Sequence, residues 1–309
     1  MTEASKRKVL FILSPGYTGS TLLTLLIATH PEVATIGERR NLHVRLNVGR
    51  SKQVHCLCGR YARDCDVLSA AYAAGRRKLP FYLRGVNYPK FKLSRDRHVN
   101  RIAFRLARAT ELGYRQWFLT RWMSFLYGRV CEANAAVVDF VLQNQGANVL
   151  VDSSKVPGDL KHLKDSGLFD VRVIHLSRDG RGRFCSLLDR DPSLSTEEAA
   201  KNVRDAHDRI KTVLDEWEDP VIHVKYEDLC RRPLDEIRRI AVEVGLDPDG
   251  MSLDYRATTK HLLGNARLVQ SESDQIVNQE LWRTSLSPEA LETFERIAGE
   301  SNRTYGYTD

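Results

Sequence analysis

The stretch SPGYTGSTLLTLL, Ser14 to Leu26, holds the residues whose types and spacing are best suited to chemistry. It follows a short apolar run, Val9 to Leu13, and leads into a leucine-rich segment. Proline and glycine at the exit of a strand, then Gly-Ser-Thr at the start of a helix, present backbone N–H groups to an anion. Thr18, Ser20 and Thr21 add hydroxyl donors. The sequence therefore predicts an anion-binding cradle, although an ordinary strand–helix turn with a serine cap fits the same residues.

This cradle differs from the P-loop of kinases and ATPases by one cation. Those proteins carry G-x-x-x-x-G-K-[ST], in which the lysine reaches the outer phosphates and the hydroxyl holds magnesium. Here no lysine stands between Gly19 and Ser20. A small-molecule kinase is therefore an alternative that the missing lysine disfavours and that strict magnesium dependence would support.

A second anion grip is predicted in the segment VIHLSRDGRGRFCSLL, which starts at Val173. Arg178 leaves the end of a predicted strand, and Ser186 follows it two helical turns later. A guanidinium fork and a hydroxyl in this arrangement can hold a phosphate separate from the first. Two such grips on parallel strand ends indicate a nucleotide with phosphates at both ends.

The elements that position these grips alternate along the chain. Apolar and β-branched runs predict four buried parallel strands, at Val9–Leu13, Asn148–Asp152, Val171–Leu176 and Val221–Val224. Helical patterns are predicted at Ser20–His30, Lys155–Ser166, Ser195–Glu218 with Thr196 as N-cap, Pro233–Val244 and Pro288–Gly299. Strands that alternate with helices predict a doubly wound α/β fold.

Residues 70–145 break this alternation and are predicted as a helical insertion between the first and second predicted strands, within a single domain of residues 1–309. Between Arg76 and Arg129 the sequence has fourteen basic residues and two acidic ones, a local charge of +12 against +7 for the whole chain. This charge fits a wall for an anionic or polyhydroxylated acceptor, or a solvated basic face over a helical core. Trp117, Trp122 and Phe125 fit core packing by default, and sugar stacking or membrane contact as alternatives.

Composition excludes several classes of protein. With 42% hydrophobic and 28% charged residues, the 309-residue chain is typical of a soluble globular protein. No apolar run approaches the roughly 20 residues of a membrane helix, and the run after Lys6 is too short for a signal peptide. We therefore expect a cytoplasmic protein without an integral membrane segment. The positive charge indicates anionic ligands, and the lack of a recognisable RNA or DNA motif disfavours nucleic acid.

The segment HCLCGRYARDC places His55, Cys56, Cys58 and Cys65 close together. Four such ligands could hold zinc, or two of the thiols could form a redox-sensitive pair. The C-x-C-x6-C spacing is not that of a standard zinc finger, which favours packing thiols near the acceptor entrance. The sequence leaves this choice open, and no metal is assigned.

Several motifs together resemble one enzyme family. PGYTGSTLL and HLSRDGRGRFCS resemble the two donor-binding motifs of sulfotransferases that use 3′-phosphoadenosine 5′-phosphosulfate. VDSSKVP, VKYEDLCRRP and HLLGNAR followed by LWR resemble further signatures of bacterial members, in the same order. The matches span Pro15 to Arg283, although residues 70–145 carry none. The resemblance implies a P-loop-type parallel sheet flanked by helices, this nucleotide as sulfuryl donor, and no required metal.

The resemblance also implies roles for individual residues. Arg178 and Ser186 hold the 3′-phosphate of the donor, and Arg267 is a further contact. The 5′-phosphosulfate is held by Gly16, Tyr17, Thr18, Gly19, Ser20 and Thr21. Many family members have lysine or arginine where Tyr17 stands here. Because the carboxyl ends of parallel strands converge, Lys155 is expected to supply the missing cation, a solvated surface lysine being the alternative.

Glu38 resembles the glutamate that follows the cradle helix in tyrosylprotein and some glycan sulfotransferases, where it acts as general base. A surface ion pair with the neighbouring Arg39 or Arg40 is the alternative for Glu38, and His43 is a rival base. The activity implied is in-line transfer of a sulfuryl group to an acceptor hydroxyl, and the basic segment favours a carbohydrate or another polyhydroxylated or anionic acceptor. A relative that binds the nucleotide without catalysis is a further alternative, because Tyr17 is unusual.

Overall fold

The computed structural model describes residues 6–47, 55–81, 118–256, 261–263, 276–278 and 280–308. A five-stranded parallel sheet lies at its centre, in the order β2-β3-β1-β4-β5. The strands are β1 (Arg7–Leu13), β2 (Val33–Gly37), β3 (Val149–Lys155), β4 (Phe169–Ser177) and β5 (Val221–Lys225). The α/β class and the parallel sheet flanked by helices are therefore confirmed.

The described helices flank both faces of this sheet. They are α1 (Ser20–Ile27), α2 (Leu42–Asn47), α3 (Asp66–Lys78), α4 (Phe118–Gln145), α5 (Pro157–Asp165), α6 (Gly180–Arg190), α7 (Thr196–Asp215), α8 (Tyr226–Arg231), α9 (Pro233–Val244), α10 (Trp282–Ser285) and α11 (Pro288–Thr304). Among the described residues, no helix has both the length and the apolar content needed to cross a bilayer.

The central strand β1 shows why its sequence is continuously apolar. Val9, Phe11 and Leu13 pack on one face of the sheet, against a core that includes residues of α3, α4 and α5. Leu10 and Ile12 pack on the other face, against α1 and α9. Successive side chains of a strand point to opposite faces, so a strand covered by helices on both sides must be apolar at every position. This burial fixes β1, and with it the start of the cradle.

One strand was missing from the sequence prediction. Val33–Gly37 forms β2, an edge strand whose five residues are all buried and which pairs with β3. The break in the helix–strand alternation therefore lies between the second and third strands of the sheet, not between the first and second. The helical prediction for this region is confirmed at α4, whereas α3 begins before residue 70 and residues 82–117 lie outside the described part.

Several element ends also differ from the prediction. Helix α1 ends at Ile27 rather than His30, and α11 continues to Thr304. The N-cap of α7 is Ser195, not Thr196, because Ser195 and Glu198 form a reciprocal capping box that satisfies two backbone N–H groups. The helix predicted to start at Lys155 starts at Pro157, since the chain stays in β3 through Lys155.

The carboxyl end of β3 is irregular in a way that matters for the site. Its pairing register shifts against both neighbours, between Phe11 and Leu13 of β1 and between Thr35 and Gly37 of β2. Lys155 has a φ of 69°, in the left-handed region that a non-glycine residue rarely adopts. A bulge of this kind re-aims the side chains beyond it, and here it redirects Lys155 at the end of the strand.

Candidate active site

The predicted functional groups line one edge of the sheet, where all five strands have their carboxyl ends. In the order of the strands, this edge presents Glu38 after β2, Lys155 at the end of β3, the cradle after β1, Arg178 after β4 and Tyr226 after β5. Parallel strands bring such residues together whatever their separation in sequence. The structure thus places the two grips and the proposed base along a single edge.

Two arginines donate hydrogen bonds to backbone carbonyl oxygens of the cradle loop. The carbonyl oxygen of Gly16 accepts a hydrogen bond from Arg183 Nε at 3.0 Å, and that of Tyr17 accepts one from Arg178 Nη1 at 3.0 Å. Thr18 Oγ1 donates to the Pro15 carbonyl at 2.8 Å. Because a trans peptide directs its N–H away from its C=O, the N–H groups that follow these two carbonyls point away from the guanidiniums.

The close packing of the cradle explains its second glycine. Gly19 has a φ of 84°, and a Cβ at this position would lie 2.4 Å from two ring carbons of Tyr226. The Arg178 guanidinium also lies against this ring, at 4.6 Å from its centroid. Tyr226 therefore contacts the cradle and the second grip at once. Burial raises the pKa of the Tyr226 hydroxyl above its ordinary value.

Arg178 and Ser186, the two residues predicted to bind one phosphate, both meet Gly182 of helix α6. A Cβ on Gly182 would lie 3.1 Å from Arg178 Nε. Ser186 Oγ donates to the Gly182 carbonyl at 2.9 Å, one turn earlier in the helix. The turn before the helix is fixed by Asp179, whose side chain caps it at the Arg181 N–H. The structure thus places the Arg178 guanidinium and the Ser186 hydroxyl beside the same turn of α6, the one that carries Gly182.

Glu38 and Lys155 form a salt bridge. Lys155 Nζ lies 2.6 Å from Glu38 Oε1, and the two side chains are only 19% and 17% exposed. The second carboxylate oxygen, Oε2, accepts a hydrogen bond from the Asn41 side chain. Neither Arg39 nor Arg40 pairs with Glu38, so the surface ion pair considered as an alternative is wrong. Lys155 is likewise a half-buried strand residue and not a solvated lysine at a helix start.

The two arginines after Glu38 anchor its backbone instead. The fully buried Arg39 donates from Nε to Asp152 Oδ2 at 2.9 Å and also bonds the Asn134 side chain. Ser154 accepts from the Arg40 N–H at 3.0 Å and donates to Asp152 Oδ1. Asp152 and Ser154 belong to β3, so this buried network ties the chain after Glu38 to the strand that carries Lys155.

Arg40 makes a second buried ion pair, with Asp159 of α5. Burial raises the pKa of the Asp159 carboxyl above its ordinary value, and the charges of Arg40 and Arg39 oppose that rise. Both arginines are therefore committed to carboxylates other than Glu38. This leaves the Glu38 carboxylate with Lys155 and Asn41 as its described polar partners.

Positive charge reaches the cradle although Tyr17 carries none. The Tyr17 ring is 41% exposed, and the Arg190 guanidinium lies 4.9 Å from its centroid. Arg183 is buried beneath the Gly16 carbonyl, where burial lowers the pKa of its guanidinium to about 10. Lys155 lies at the end of β3 opposite Leu13, the last residue of β1 before the cradle. Together with Arg178, four cations thus lie against the loop or on the strand next to it, although the loop lacks a cation of its own.

Two buried polar atoms next to the cradle lack a partner in the described part of the protein, and the geometry of the loop itself suits an anion. Ser14 Oγ and Arg183 Nη1 are buried without a hydrogen-bond partner among the described residues. An unpaired buried donor costs about 1–3 kcal/mol, so such atoms are usually completed by a ligand or water. A strand end, a left-handed glycine and a helix N-terminus without acidic residues in its first turn suit the same ligand. The residues present therefore fit a bound phosphate or sulfate ester.

The remaining predicted residues are placed as follows. His43 Nδ1 lies 2.7 Å from the Tyr72 hydroxyl, between α2 and α3. Phe125 is 51% exposed, which makes the core-packing prediction wrong for this residue. Arg267, Trp117 and the side chain of Trp122 lie outside the described part, as do most basic residues of the +12 segment.

Sequence reasoning did not assign roles to three residues that the structure shows to be important. Arg183 holds the cradle, Tyr226 packs on it, and Asp152 anchors the chain after Glu38. All three lie inside segments that the sequence analysis singled out, RDGRGRF, VKYEDL and VDSSK. Their motifs were the signal, but their contacts depend on which strands are neighbours in the sheet.

Comparison with known proteins gives the geometry a context. A segment of 80 residues is 32% identical to the nodulation protein NoeE of Sinorhizobium fredii (strain NBRC 101917 / NGR234), covering 25% of this chain but only 19% of that relative. The fold is similar to the sulfotransferase domain of the Synechococcus PCC 7002 olefin synthase, with a TM-score of 0.51 and 20% identity over 100% of this chain and 98% of that one.

A sulfotransferase domain of the curacin biosynthetic pathway has a TM-score of 0.50 and 14% identity, with 96% of this chain and 98% of that one covered. At these identities the two solved structures support the fold alone. The family model described as the sulfotransferase family matches residues 10–249, which include the cradle, Glu38, Lys155 and the second grip. This chain therefore belongs to the sulfotransferase family.

Proposed function

We propose that the protein transfers the sulfuryl group of 3′-phosphoadenosine 5′-phosphosulfate to an acceptor hydroxyl, with Glu38 as general base. The observation that carries the proposal is the 2.6 Å pair of Glu38 and Lys155 on the sheet edge that also bears the cradle. A proton acceptor, a cation and an anion-binding loop thus lie on successive strands. Sulfuryl transfer, like phosphoryl transfer, depends mainly on such positioning and charge stabilisation.

The donor, when bound, supplies a sulfuryl group attached to a phosphate that can leave. In the proposal its 5′ end is held by the backbone and hydroxyls of residues 16–21. The atoms Ser14 Oγ and Arg183 Nη1, unpaired among the described residues, lie next to this loop. Arg178 and Ser186 hold the 3′-phosphate, and Arg267 remains a predicted contact. Arg178 already bonds the Tyr17 carbonyl, so occupancy of one grip would order the other.

Glu38 takes the proton that the acceptor hydroxyl loses while its oxygen bonds to sulfur. The bond from sulfur to the phosphate oxygen breaks, and 3′-phosphoadenosine 5′-phosphate leaves. Lys155, between Glu38 and the cradle, stabilises the charge that develops on this phosphate, which requires its salt bridge with Glu38 to open. Fixed donors of this kind are worth about 3–4 kcal/mol each in a transition state.

The acceptor in this proposal is a carbohydrate or another polyhydroxylated or anionic molecule, bound against residues 70–145. Support comes from the end of α3, where Arg76, Arg77 and Lys78 are exposed, and from the exposed ring of Phe125 on α4. Arg129 of α4 bonds the Lys78 carbonyl at 2.5 Å, which joins the two helices. His43 and Tyr72 connect α3 to α2, the helix that closely follows Glu38.

The donor is tested by calorimetric titration with 3′-phosphoadenosine 5′-phosphate in magnesium-free buffer, against ATP with magnesium. Binding of the first nucleotide without the second supports the proposal. Binding of ATP only with magnesium would replace it by a kinase on the same fold. Arg178→Met should weaken binding of the bisphosphate, because it removes the fork that serves the 3′-phosphate.

The base is tested with Glu38→Gln, using Glu32→Gln at the opposite end of β2 as matched control. Transfer of labelled sulfate from the donor to an oligosaccharide, a simple phenol and a tyrosine peptide is measured. The Glu38 variant should lose about 100- to 10,000-fold in turnover and keep nucleotide binding, whereas the control keeps both. Turnover within a few-fold of the unaltered protein would exclude Glu38 as the base. Nucleotide binding without transfer to any acceptor, in the unaltered protein, would favour a non-catalytic relative.

A further inference from the structure

Three cysteines and one histidine that have no role in the proposed reaction form a compact cluster. The ligand atoms of Cys56, Cys58, Cys65 and His261 all lie within 4.8 Å of one another. His261 Nδ1 is 3.1 Å from Cys65 Sγ and 3.8 Å from Cys56 Sγ. The sequence grouped His55 with the cysteines, but His55 stacks on Tyr61 with ring centroids 4.6 Å apart. The fourth member comes instead from a segment about 200 residues later.

We propose that Cys56, Cys58, Cys65 and His261 bind one structural zinc ion. Tetrahedral zinc with bonds of about 2.3 Å to sulfur and about 2.0–2.1 Å to nitrogen places its ligand atoms about 3.5–3.8 Å apart. The distances of 3.1 and 3.8 Å from His261 Nδ1 to the sulfurs of Cys65 and Cys56 lie on either side of the sulfur–nitrogen spacing that zinc requires. Packing in a core does not by itself require three thiol sulfurs and an imidazole nitrogen to lie within 4.8 Å of one another. A closed tetrahedral set of three thiolates and one imidazole is typical of structural zinc sites, and such soft ligands disfavour magnesium, calcium and manganese.

The local backbone is shaped to present these sulfurs. Cys56 N–H donates to the Arg60 carbonyl at 2.9 Å, and Gly59 N–H donates to the Cys56 carbonyl at 3.0 Å. Gly59 has a φ of 82°, so the tight turn that carries Cys58 back toward Cys56 requires glycine. His55 and Tyr61 close this turn with an antiparallel bridge. Cys65 is the N-cap residue of α3, which fixes its position against the turn.

Burial favours a metal over solvated thiols. Cys56 and Cys65 are 0% exposed, and they pack in the same core cluster as Leu42, Leu68 and Leu263. Cys58 and His261 are half-buried. On binding, the three thiols each release a proton, and the neutral imidazole donates its Nδ1 lone pair, so the closed site carries one net negative charge. No redox step is involved.

The site would act as a clip on the chain that supports Glu38. Two residues after His261, Leu263 N–H donates to the Ile36 carbonyl at 2.9 Å, and Leu263 accepts from the Glu38 N–H at 3.0 Å. Gly37 allows this approach, because a Cβ there would lie 2.1 Å from the Leu263 carbonyl oxygen. Zinc bound to His261 would hold this segment beside β2. The metal thus fixes structure next to Glu38 without touching the reacting groups.

The first test is the metal content of protein purified under reducing conditions without chelator, measured by elemental mass spectrometry. We expect about one zinc ion per chain for the unaltered protein and close to none for Cys58→Ser and His261→Ala. Two matched controls, His55→Gln and Cys185→Ser, should keep the zinc. Loss of zinc in His55→Gln together with retention in His261→Ala would overturn the assignment of ligands.

Further measurements separate zinc from other uses of the same thiols. Replacement by cobalt(II) should give the visible absorption of a tetrahedral thiolate site in the unaltered protein and not in His261→Ala. A zinc chelator should lower the melting temperature of the unaltered protein and of His55→Gln, and leave that of Cys58→Ser unchanged. A Cys56–Cys65 disulfide in the intact mass, iron in place of zinc, or full thermal stability without any metal would each overturn the proposal.

Discussion

Replacement of Gly19 by alanine is expected to disrupt the cradle through two additive effects. The first is the left-handed backbone, with φ at 84°, which costs an L-residue about 1–2 kcal/mol. The second is overlap of the new methyl group with the Tyr226 ring, whose carbons would lie 2.4 Å away. The ring has little room to retreat because the Arg178 guanidinium lies against it, and overpacking of this kind costs about 1–3 kcal/mol. The total is about 2–5 kcal/mol.

Two other glycines separate these effects. Gly146 has a φ of 62°, and a Cβ there would meet nothing within 4 Å, so Gly146→Ala reports the backbone cost alone. Gly16 lies in the same loop with an ordinary φ and open space around its Cβ position, so Gly16→Ala reports the added methyl alone. We expect free energies of unfolding that fall least in Gly16→Ala, by about 1–2 kcal/mol in Gly146→Ala and most in Gly19→Ala.

The assay is urea unfolding of each variant, followed by titration with 3′-phosphoadenosine 5′-phosphate of those that are folded. Gly19→Ala should bind the nucleotide weakly, whereas Gly146→Ala should bind it normally. In a double-mutant cycle, Tyr226→Ala should recover about 1–3 kcal/mol of the Gly19→Ala cost. A Gly19→Ala variant no less stable than Gly146→Ala, or one that binds the nucleotide as the unaltered protein does, would refute this reasoning.

Three further predictions concern the fold around the site. Arg39→Met should lower the free energy of unfolding by about 3–5 kcal/mol, because it leaves the buried Asp152 carboxylate without its cation. Arg204→Met, at an exposed ion pair, should change it by less than about 0.5 kcal/mol. Equal effects of the two substitutions would contradict the role of the buried network. Ser195→Ala should lower the free energy of unfolding by about 1 kcal/mol through loss of the α7 capping box, and Thr196→Ala should lower it clearly less. Urea unfolding measures both, and a larger loss in Thr196→Ala would contradict the assignment of the cap. Burial lowers the pKa of His175 to about 3 and that of His207 to about 4, so as pH falls below about 6.5 the unfolded chain takes up protons that the folded chain does not. Stability should therefore fall by about 2 kcal/mol per histidine between about pH 7.5 and 5, and His175→Phe should remove its share of this loss. A His175→Phe variant whose stability depends on pH as that of the unaltered protein does would contradict this prediction.

The fold class, and the positions of the cradle residues and of Arg178 and Ser186 within it, could be predicted because local sequence carries them. Val9–Leu13 must be apolar at every position to be buried on both faces of the sheet, and such a run is visible without any tertiary information. The glycines and hydroxyls of the cradle are adjacent in the chain, and Arg178 and Ser186 lie within one strand–helix unit. The strand Val33–Gly37 escaped prediction because Ala34, Thr35 and Gly37 interrupt its apolar pattern, although all five residues are buried.

The pairings within the site were decided by tertiary structure alone. Glu38 meets Lys155, 117 residues away, because β2 and β3 are neighbours and a bulge redirects Lys155; its sequence neighbours Arg39 and Arg40 turn to Asp152 and Asp159 instead. His261, rather than the adjacent His55, joins the three cysteines for the same kind of reason. The sequence determines which chemical groups are available, whereas strand order, register and burial determine which of them touch.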